Sequence, residues 1–547
     1  MSLEKIWLKN YRFGRHELAH SLEPYPELPL DTILDQAALR NPASIAIDYC
    51  GCELSYGQLK DLSERLAAAL SALGVKKGDR VVNILPNCPQ YIISAFAILK
   101  AGAVHVPCSI LHPERELQEE ISACGAQTVI CPADHFERLR PMFGAAGVKN
   151  VIITARQDYG AAAPENPPQL HGAMRFTELI AGHEPRLPAV KIDPKKDLAY
   201  LAFTGGATGR PKGVMLTHFN RLANVLQGLV WTMGGSAAAF HGRVSMLITV
   251  PLFHSYGDWL MLSAIYLGLK IILAPDPRDI DTICSLIVSK HPDLVGIVPT
   301  QLMKLSAKDT PLRPVKMVSG SAFLPAEVRD RVSQKTSKPI SGGYGLTEAG
   351  PTTHIDLSGL AQANSIGVPV PDTEIKLIDE ETGKPCGIGE AGHMYIKGPQ
   401  VMLGYWPEPG SGLVDGWLPT GDVVRMDERG YFYLVDRIKD MANVSGYKVY
   451  TGILDDLLFK HPAVLMAATI GVPDPERPGS ERIKAFIKLK DEYRGKISAA
   501  EIIEFCKEKC PPYAVPKYVE FRDDLPLTVT DKLFKRKLRE EERRRSG

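Results

Sequence analysis

The chain has no apolar run long enough to cross a bilayer. Its long apolar runs, such as about Tyr91 to Leu99, are roughly half the length of a spanning helix. Its ten cysteines (Cys50, Cys52, Cys88, Cys108, Cys124, Cys131, Cys284, Cys386, Cys506 and Cys510) include no Cys-x-x-Cys pair, and several sit in apolar runs such as Gln127-Thr-Val-Ile-Cys131. That spacing argues against a zinc framework and fits buried, reduced thiols in a cytoplasmic protein. Charge of one sign is also missing: the net charge is +1, so no global field points to nucleic acid or an acidic partner. The opening MSLEKIWLKNYRFGRHEL alternates charged and apolar residues, which excludes a secretory signal. A soluble protein is expected, and peripheral contact with a membrane remains compatible. What is present is ordinary: 45% apolar and 23% charged residues over 547 positions, too many for one core, so two or more domains are expected.

Strand and helix signals alternate in two blocks. Leu59, Leu62, Leu66, Leu70 and Leu73 form one helical face over 55–73, ended by Gly74 and Gly78. A strand at 80–85, a helix at 89–100, a strand at 104–107, a helix from Pro113 and a strand at 128–131 follow. After residue 240, strands are expected at 244–250, 270–274, 294–298 and 315–319, with helices between. This alternation predicts parallel sheets with crossover helices. Residues 150–196, rich in Pro, Gly and Ala, read as a surface connection. From 365 to 435, short runs broken by Gly and Pro predict antiparallel β structure. Beyond 440 a small α+β unit is expected, with strands at 464–471, 482–489 and 517–522 and a helix at 498–509. The charged tail after Lys532 reads as a solvated, frayed helix.

One stretch, FTGGATGRPKGV at 203–214, holds four glycines, two threonines, Arg210 and Lys212. Glycines expose backbone N–H groups and permit close approach of an anion; Thr204 and Thr208 add hydroxyls and Lys212 a charge. The loop suits a polyphosphate but lacks the GxxxxGK[ST] order of a Walker loop, which disfavours a P-loop ATPase. By itself it reads equally well as a hairpin tip.

It is followed in order by PLFHSYG at 251, GYGLTE at 343, TGD at 420, DRIKD at 436, VSGYKV at 444 and LPLTVTDK at 525. This set resembles the adenylate-forming superfamily over about residues 30–538. The resemblance implies an α/β fold: a large N-terminal domain of two α/β sheet lobes plus a β-rich region (1–438), and a small mobile α+β C-terminal domain (439–547). It implies an AMP-forming acyl-CoA synthetase, with ATP, Mg²⁺ and CoA as partners of a carboxylic acid, working as a monomer or homodimer. Thr204, Gly205, Gly206, Ala207, Thr208, Gly209 and Lys212 would hold phosphates. Gly343, Tyr344, Gly345 and Thr347 would flank the nucleotide, Glu348 would bind Mg²⁺, and Asp422 and Arg437 would meet the ribose. Lys532 would stabilise α-phosphate charge. Lys439 takes the hinge position, and Ser445, Gly446, Tyr447 and Lys448 would line the CoA channel. His254 resembles the gate to the acyl pocket, whose candidate walls are Tyr256, Trp259, Gly320, Ser321, Ala322 and Gly342.

The chain departs from the family pattern at Asp531 (usually Gly), Asn443 (often Lys), Thr451-Gly-Ile-Leu-Asp455 (commonly Pro-x-Glu-Ile-Glu) and Gly342 (often Gln), the last leaving more room for substrate. PNCPQY at 86 and ILKAGAV at 98 are similar to fatty-acid CoA ligases. No carrier-protein attachment motif or terminal Ser-Lys-Leu is present. The leading expectation is a medium- to long-chain fatty acid, with an aryl or alicyclic acid as the alternative. Asp531 and Asn443 keep a non-catalytic nucleotide- and acid-binding module open.

Overall fold

The computed structural model describes residues 5–160, 171–186, 190–205, 211–309, 311–322, 324–357, 365–528 and 533–546. Among them, strands assemble into two nine-stranded sheets, a four-stranded antiparallel sheet and a small C-terminal sheet. The first large sheet is parallel through Arg80–Asn83, Val104–Pro107, Thr128–Pro132 and Asn150–Thr154 and carries the hairpin Leu198–Gly205/Pro211–Thr217 toward one edge. The second is parallel through Ser245–Ile248, Lys270–Leu273, Leu294–Ile297, Lys316–Ser319 and Ile340–Gly345. These strands are near-continuous apolar runs because helices cover both faces of such sheets.

Local chemistry sets the helix ends. Ser55 caps Tyr56–Ala72: its hydroxyl accepts from the Gln58 backbone N–H, while the Gln58 side chain accepts from the Ser55 N–H. Pro89 opens Pro89–Lys100, where its missing N–H costs nothing. The apolar face of the first helix buries Leu59, Leu66 and Leu70.

Two expectations need correction. Residues 150–196 are more than a surface connection, because Asn150–Thr154 joins the parallel sheet and Phe176–Ala181 is a helix with Phe176 buried. The tail is not merely a frayed helix either. Lys535–Ser546 buries Leu538, while Glu541 pairs with Arg522 and Glu542 with Lys484.

The β-rich region is a sheet of Glu374–Ile378, Ala391–Lys397, Leu418–Met426 and Phe432–Arg437. A turn through Lys439 leads to the hairpin Ala442–Val444/Tyr447–Val449 and the C-terminal sheet of Val464–Pro473, Glu481–Leu489 and Tyr518–Phe521. Among the described residues no helix is long and apolar enough to cross a membrane.

Candidate active site

A cavity of about 480 Å³ lies along one face of the second large sheet. It begins beyond the carboxyl ends of the strands, where open α/β sheets bind ligands. There it is lined by Ser319, Gly320 and Gly343–Thr347, and it runs back to Leu294 and Lys316 at the opposite strand ends. Helix Ser255–Leu267 supplies Tyr256 and Trp259 as a wall.

At the first end, Tyr344 donates its hydroxyl to Asp422, and Arg437 stands 3.3 Å from the other carboxylate oxygen. Asp422 and Arg437 face each other because Leu418–Met426 and Phe432–Arg437 pair antiparallel. Burial and then the Asp422 charge push the Tyr344 phenol well up, keeping it a neutral donor. The Thr347 and Ser255 hydroxyls lie 3.1 Å apart.

Thr204 and Lys212 pair across the hairpin, so the stem of the 203–214 stretch is regular. The Lys212 ammonium lies 5.0 Å above the Tyr405 ring, and Tyr405 donates to Glu348 at 2.9 Å. Tyr405 thus links the hairpin to Glu348, and its phenol is pushed up by burial and by that carboxylate. Glu348 and Thr347 present a carboxylate and a hydroxyl, hard oxygens of the kind Mg²⁺ prefers.

The acyl side is shaped by close approach. Tyr256 donates to the Val318 carbonyl at 2.6 Å, and a Cβ on Gly320 would meet its ring at 3.1 Å. A Cβ on Gly342 would touch only the Ser319 carbonyl at 3.9 Å, so that position opens onto the cavity. Tyr256 and Trp259 stack at 6.3 Å. The loop carrying His254 is clamped by Asn87, which donates to Val250 O and accepts from Leu252 N, and by Tyr91, which donates to Leu252 O. The PNCPQY stretch therefore holds the PLFHSYG stretch in place. A second cavity of about 70 Å³ meets the first at His254, Tyr256 and Ser321.

Beneath the site, Arg221 is 1% exposed and donates to Asp258 and to the Gly350 carbonyl, while Tyr200 donates to Asp258 at 2.7 Å. This network ties the 347–350 turn to the helix bearing Tyr256. Burial pushes Asp258 up, and Arg221 opposes it. Asp356 also lines the cavity. It is 5% exposed, one of its oxygens has no hydrogen-bond partner among the described residues, and burial pushes it up to about 7.

Some expected residues are not brought here. Ala322 is exposed and does not line the cavity; Ser321 before it takes φ +78°, turning the chain outward. Ser445–Lys448 form a hairpin tip away from the cavity: Tyr447 stacks on Tyr513, and Lys448 pairs with Glu381 at 2.7 Å. Lys439 is exposed in its turn. Gly206, Ala207, Thr208, Gly209, Asp531 and Lys532 lie outside the described residues. Arg221, Asp258, Asp356 and Tyr405 escape sequence reasoning. Asp258 directly follows PLFHSYG, which is the one hint available.

Residues 34–406 match the AMP-binding enzyme family, and 454–532 match its C-terminal domain. A long-chain-fatty-acid–CoA ligase of Bacillus subtilis is 36% identical, covering 99% of both chains. The crystal structure of the anthranilate CoA ligase AuaEII with anthranoyl-AMP superposes with a TM-score of 0.83 at 26% identity, over 96% of this chain and 99% of that one. ATP-bound MatB from Rhodopseudomonas palustris gives 0.83 at 26% over 94% and 99%. The motif order, the cavity and these likenesses agree, and the chain belongs to the adenylate-forming acyl-CoA synthetase family of AMP-binding enzymes.

Proposed function

We propose that this chain activates medium- to long-chain fatty acids, converting acid, ATP and CoA into acyl-CoA, AMP and diphosphate. The observation that carries this reading is one cavity that joins the nucleotide motif Gly343–Thr347 to an apolar stretch reaching Leu18, Leu229 and Phe240. The full-length likeness to the B. subtilis ligase points the same way.

In the first step a carboxylate oxygen of the acid attacks the α-phosphorus of ATP. The bond from that phosphorus to the bridging oxygen breaks, and diphosphate leaves. The nucleophile is already ionised, so the step needs positioning and charge neutralisation rather than a base. Thr204, Gly205 and Lys212, with residues 206–209, cradle the phosphates. Tyr344 flanks adenine, Asp422 holds the ribose hydroxyls with Arg437 beside it, and Lys532 meets the α-phosphate. Glu348, with Thr347 beside it, would hold Mg²⁺; when bound, the ion neutralises phosphate charge.

In the second step the CoA sulfur attacks the acyl carbonyl, the carbonyl–phosphate oxygen bond breaks, AMP departs and the thiol proton is released. The second cavity offers the thiol a path ending at His254. A turn of the C-terminal domain about Lys439, which we take as the boundary after residue 438, would carry Ser445–Lys448 to that path and withdraw Lys532. The ten unpaired cysteines, most of them buried, fit a cytoplasmic location.

The Tyr256–Trp259 stack favours a second reading, an aryl acid lying flat against it. The test is purified protein with ATP, Mg²⁺, CoA and a panel of straight-chain, aromatic and alicyclic acids, reading AMP, diphosphate and thioester mass. Thioester with matching AMP from straight-chain acids sustains the reading. Thioester from aromatic acids alone would replace the substrate, and nucleotide binding without AMP from any acid would leave a binding module.

A further inference from the structure

The far end of the cavity is built in part by residues outside the shared family domain. That match starts at residue 34, yet Phe13, His16 and Leu18 line the cavity. They belong to a short hairpin, Arg12–Phe13 paired with His16–Glu17, that turns at Gly14 with φ +62°.

The hairpin is held from both sides. Before it, Trp7 is 2% exposed and packs edge-on to Phe432, and Tyr11 packs against Trp231 and donates to the Pro369 carbonyl at 2.7 Å. After it, Leu18 is buried, and Trp231 donates its indole N–H to Ala19 O. Phe13 thus projects from an anchored strap. Opposite, the Lys316 ammonium sits 5.4 Å from the Phe13 ring centre, and Lys316 opens the strand that ends at Ser319 beside Gly320. The cavity therefore runs along that strand for about 10 Å, at about 3.3 Å per residue, with Phe13 and Lys316 both in its lining at the far end.

We propose that Phe13, pinned by Lys316, is the end wall of the acyl cavity and sets the longest acid that fits beneath it. This rests on the fatty-acid reading and adds the residue that measures chain length. Its physical basis is the value of each methylene: one buried in the cavity improves transition-state binding about fourfold, and one that meets the ring gains nothing and must displace it. Phe13 does not touch the reacting carboxylate, so it is a specificity residue.

The test measures kcat/KM for saturated acids of increasing length in the wild type, Phe13→Ala and Phe13→Trp. The expected result is equal rates on short acids in all three. The optimum moves to longer acids in Phe13→Ala, with about fourfold gained per added methylene beyond the wild-type limit, and to shorter acids in Phe13→Trp. Lys316→Met, which keeps the stem and drops the charge, shifts the limit in the Ala direction by less. Superimposable length profiles for wild type and both Phe13 variants would overturn the proposal while leaving the ligase reading standing. Displacement of a fluorescent fatty acid by the same unlabelled acids reads the cavity without turnover. A length preference that moves with Phe13 there, in a protein making no thioester, would sustain the end wall and sink the ligase reading. No displacement by any acid would overturn both.

Discussion

Arg221 and Asp258 are among the most deeply buried charges in the molecule, at 1% and 2% exposure, and neither reaches the cavity. Their work is to fix the 347–350 turn against the Tyr256 helix. A buried pair is costly to form, and more costly to break from one side, because the survivor is left charged and unpaired. Arg221→Met is expected to destabilise the protein by about 3–5 kcal/mol. The double variant Arg221→Met, Asp258→Asn should lose less than the sum of the two singles, since it leaves no orphan charge. Urea unfolding of the four proteins checks this, and additive losses would count against a coupled pair.

Asp356 makes a prediction with a pH signature. Burial raises its folded pKa to about 7 from 3.8. The folded state therefore holds a proton that the unfolded chain has released between those values. The stability contribution of this group falls as pH rises through that window, and the penalty is complete above about 7. At about 1.36 kcal/mol per unit, the full shift is worth up to about 4 kcal/mol. Asp356→Asn is expected to raise the melting temperature at about pH 8.5 and to leave it unchanged near pH 4. A gain that is the same at both pH values would show that folding does not shift the Asp356 pKa.

At the scale of elements, the central strands and the helices between them are legible in the sequence because burial on both faces writes them as unbroken apolar runs. Residues 246–248, residues 271–273 and Leu294–Ile297 are examples. The strand Asn150–Thr154 is hidden by the Pro- and Gly-rich residues after it, although its own burial pattern is that of a core strand. Helix Lys535–Ser546 is hidden by its charge. Its acids find Lys484 and Arg522 on the C-terminal sheet, and no local pattern reveals partners that far away. The site divides in the same way. Residues in contiguous motifs, such as Tyr344, Thr347 and Asp422, could be named in advance. Tyr405 reaches Glu348 across 57 positions, and Phe13 reaches Lys316 only through the fold.

The hairpin Ala442–Val444/Tyr447–Val449 is an element in reserve. Asn443 accepts from the Gly446 N–H at 3.0 Å, Gly446 takes φ +88°, and no heavy atom lies within 4 Å of where its Cβ would be. A side chain at 446 therefore costs only local backbone strain while the tip is exposed.

For the whole molecule, the Lys448–Glu381 pair is an ion pair between hairpin and β-rich region, and its side chains are 39% and 71% exposed. Exposed pairs are worth about 0–1 kcal/mol, so this one holds the hairpin weakly. If the C-terminal domain turns, the two half-reactions separate. Lys532→Ala should slow adenylate formation about 10²–10³-fold, as the loss of one charge-stabilising donor does, yet still form thioester from supplied acyl-AMP. Gly446→Trp should do the reverse, since the indole would obstruct the thiol path only after rotation. Single-turnover assays of each half-reaction check both, and equal loss of both steps in both variants would contradict the rotation.

The proposed reaction passes through an acyl-adenylate. The most direct measurement uses a fatty acid carrying ¹⁸O in both carboxylate oxygens, incubated with ATP, Mg²⁺, CoA and the purified protein, followed by mass analysis of the nucleotide. Carboxylate attack on the α-phosphorus followed by acyl transfer to sulfur predicts one ¹⁸O in the phosphate of every AMP formed and one in the thioester carbonyl. Unlabelled AMP, or ADP with the label in inorganic phosphate, would contradict it.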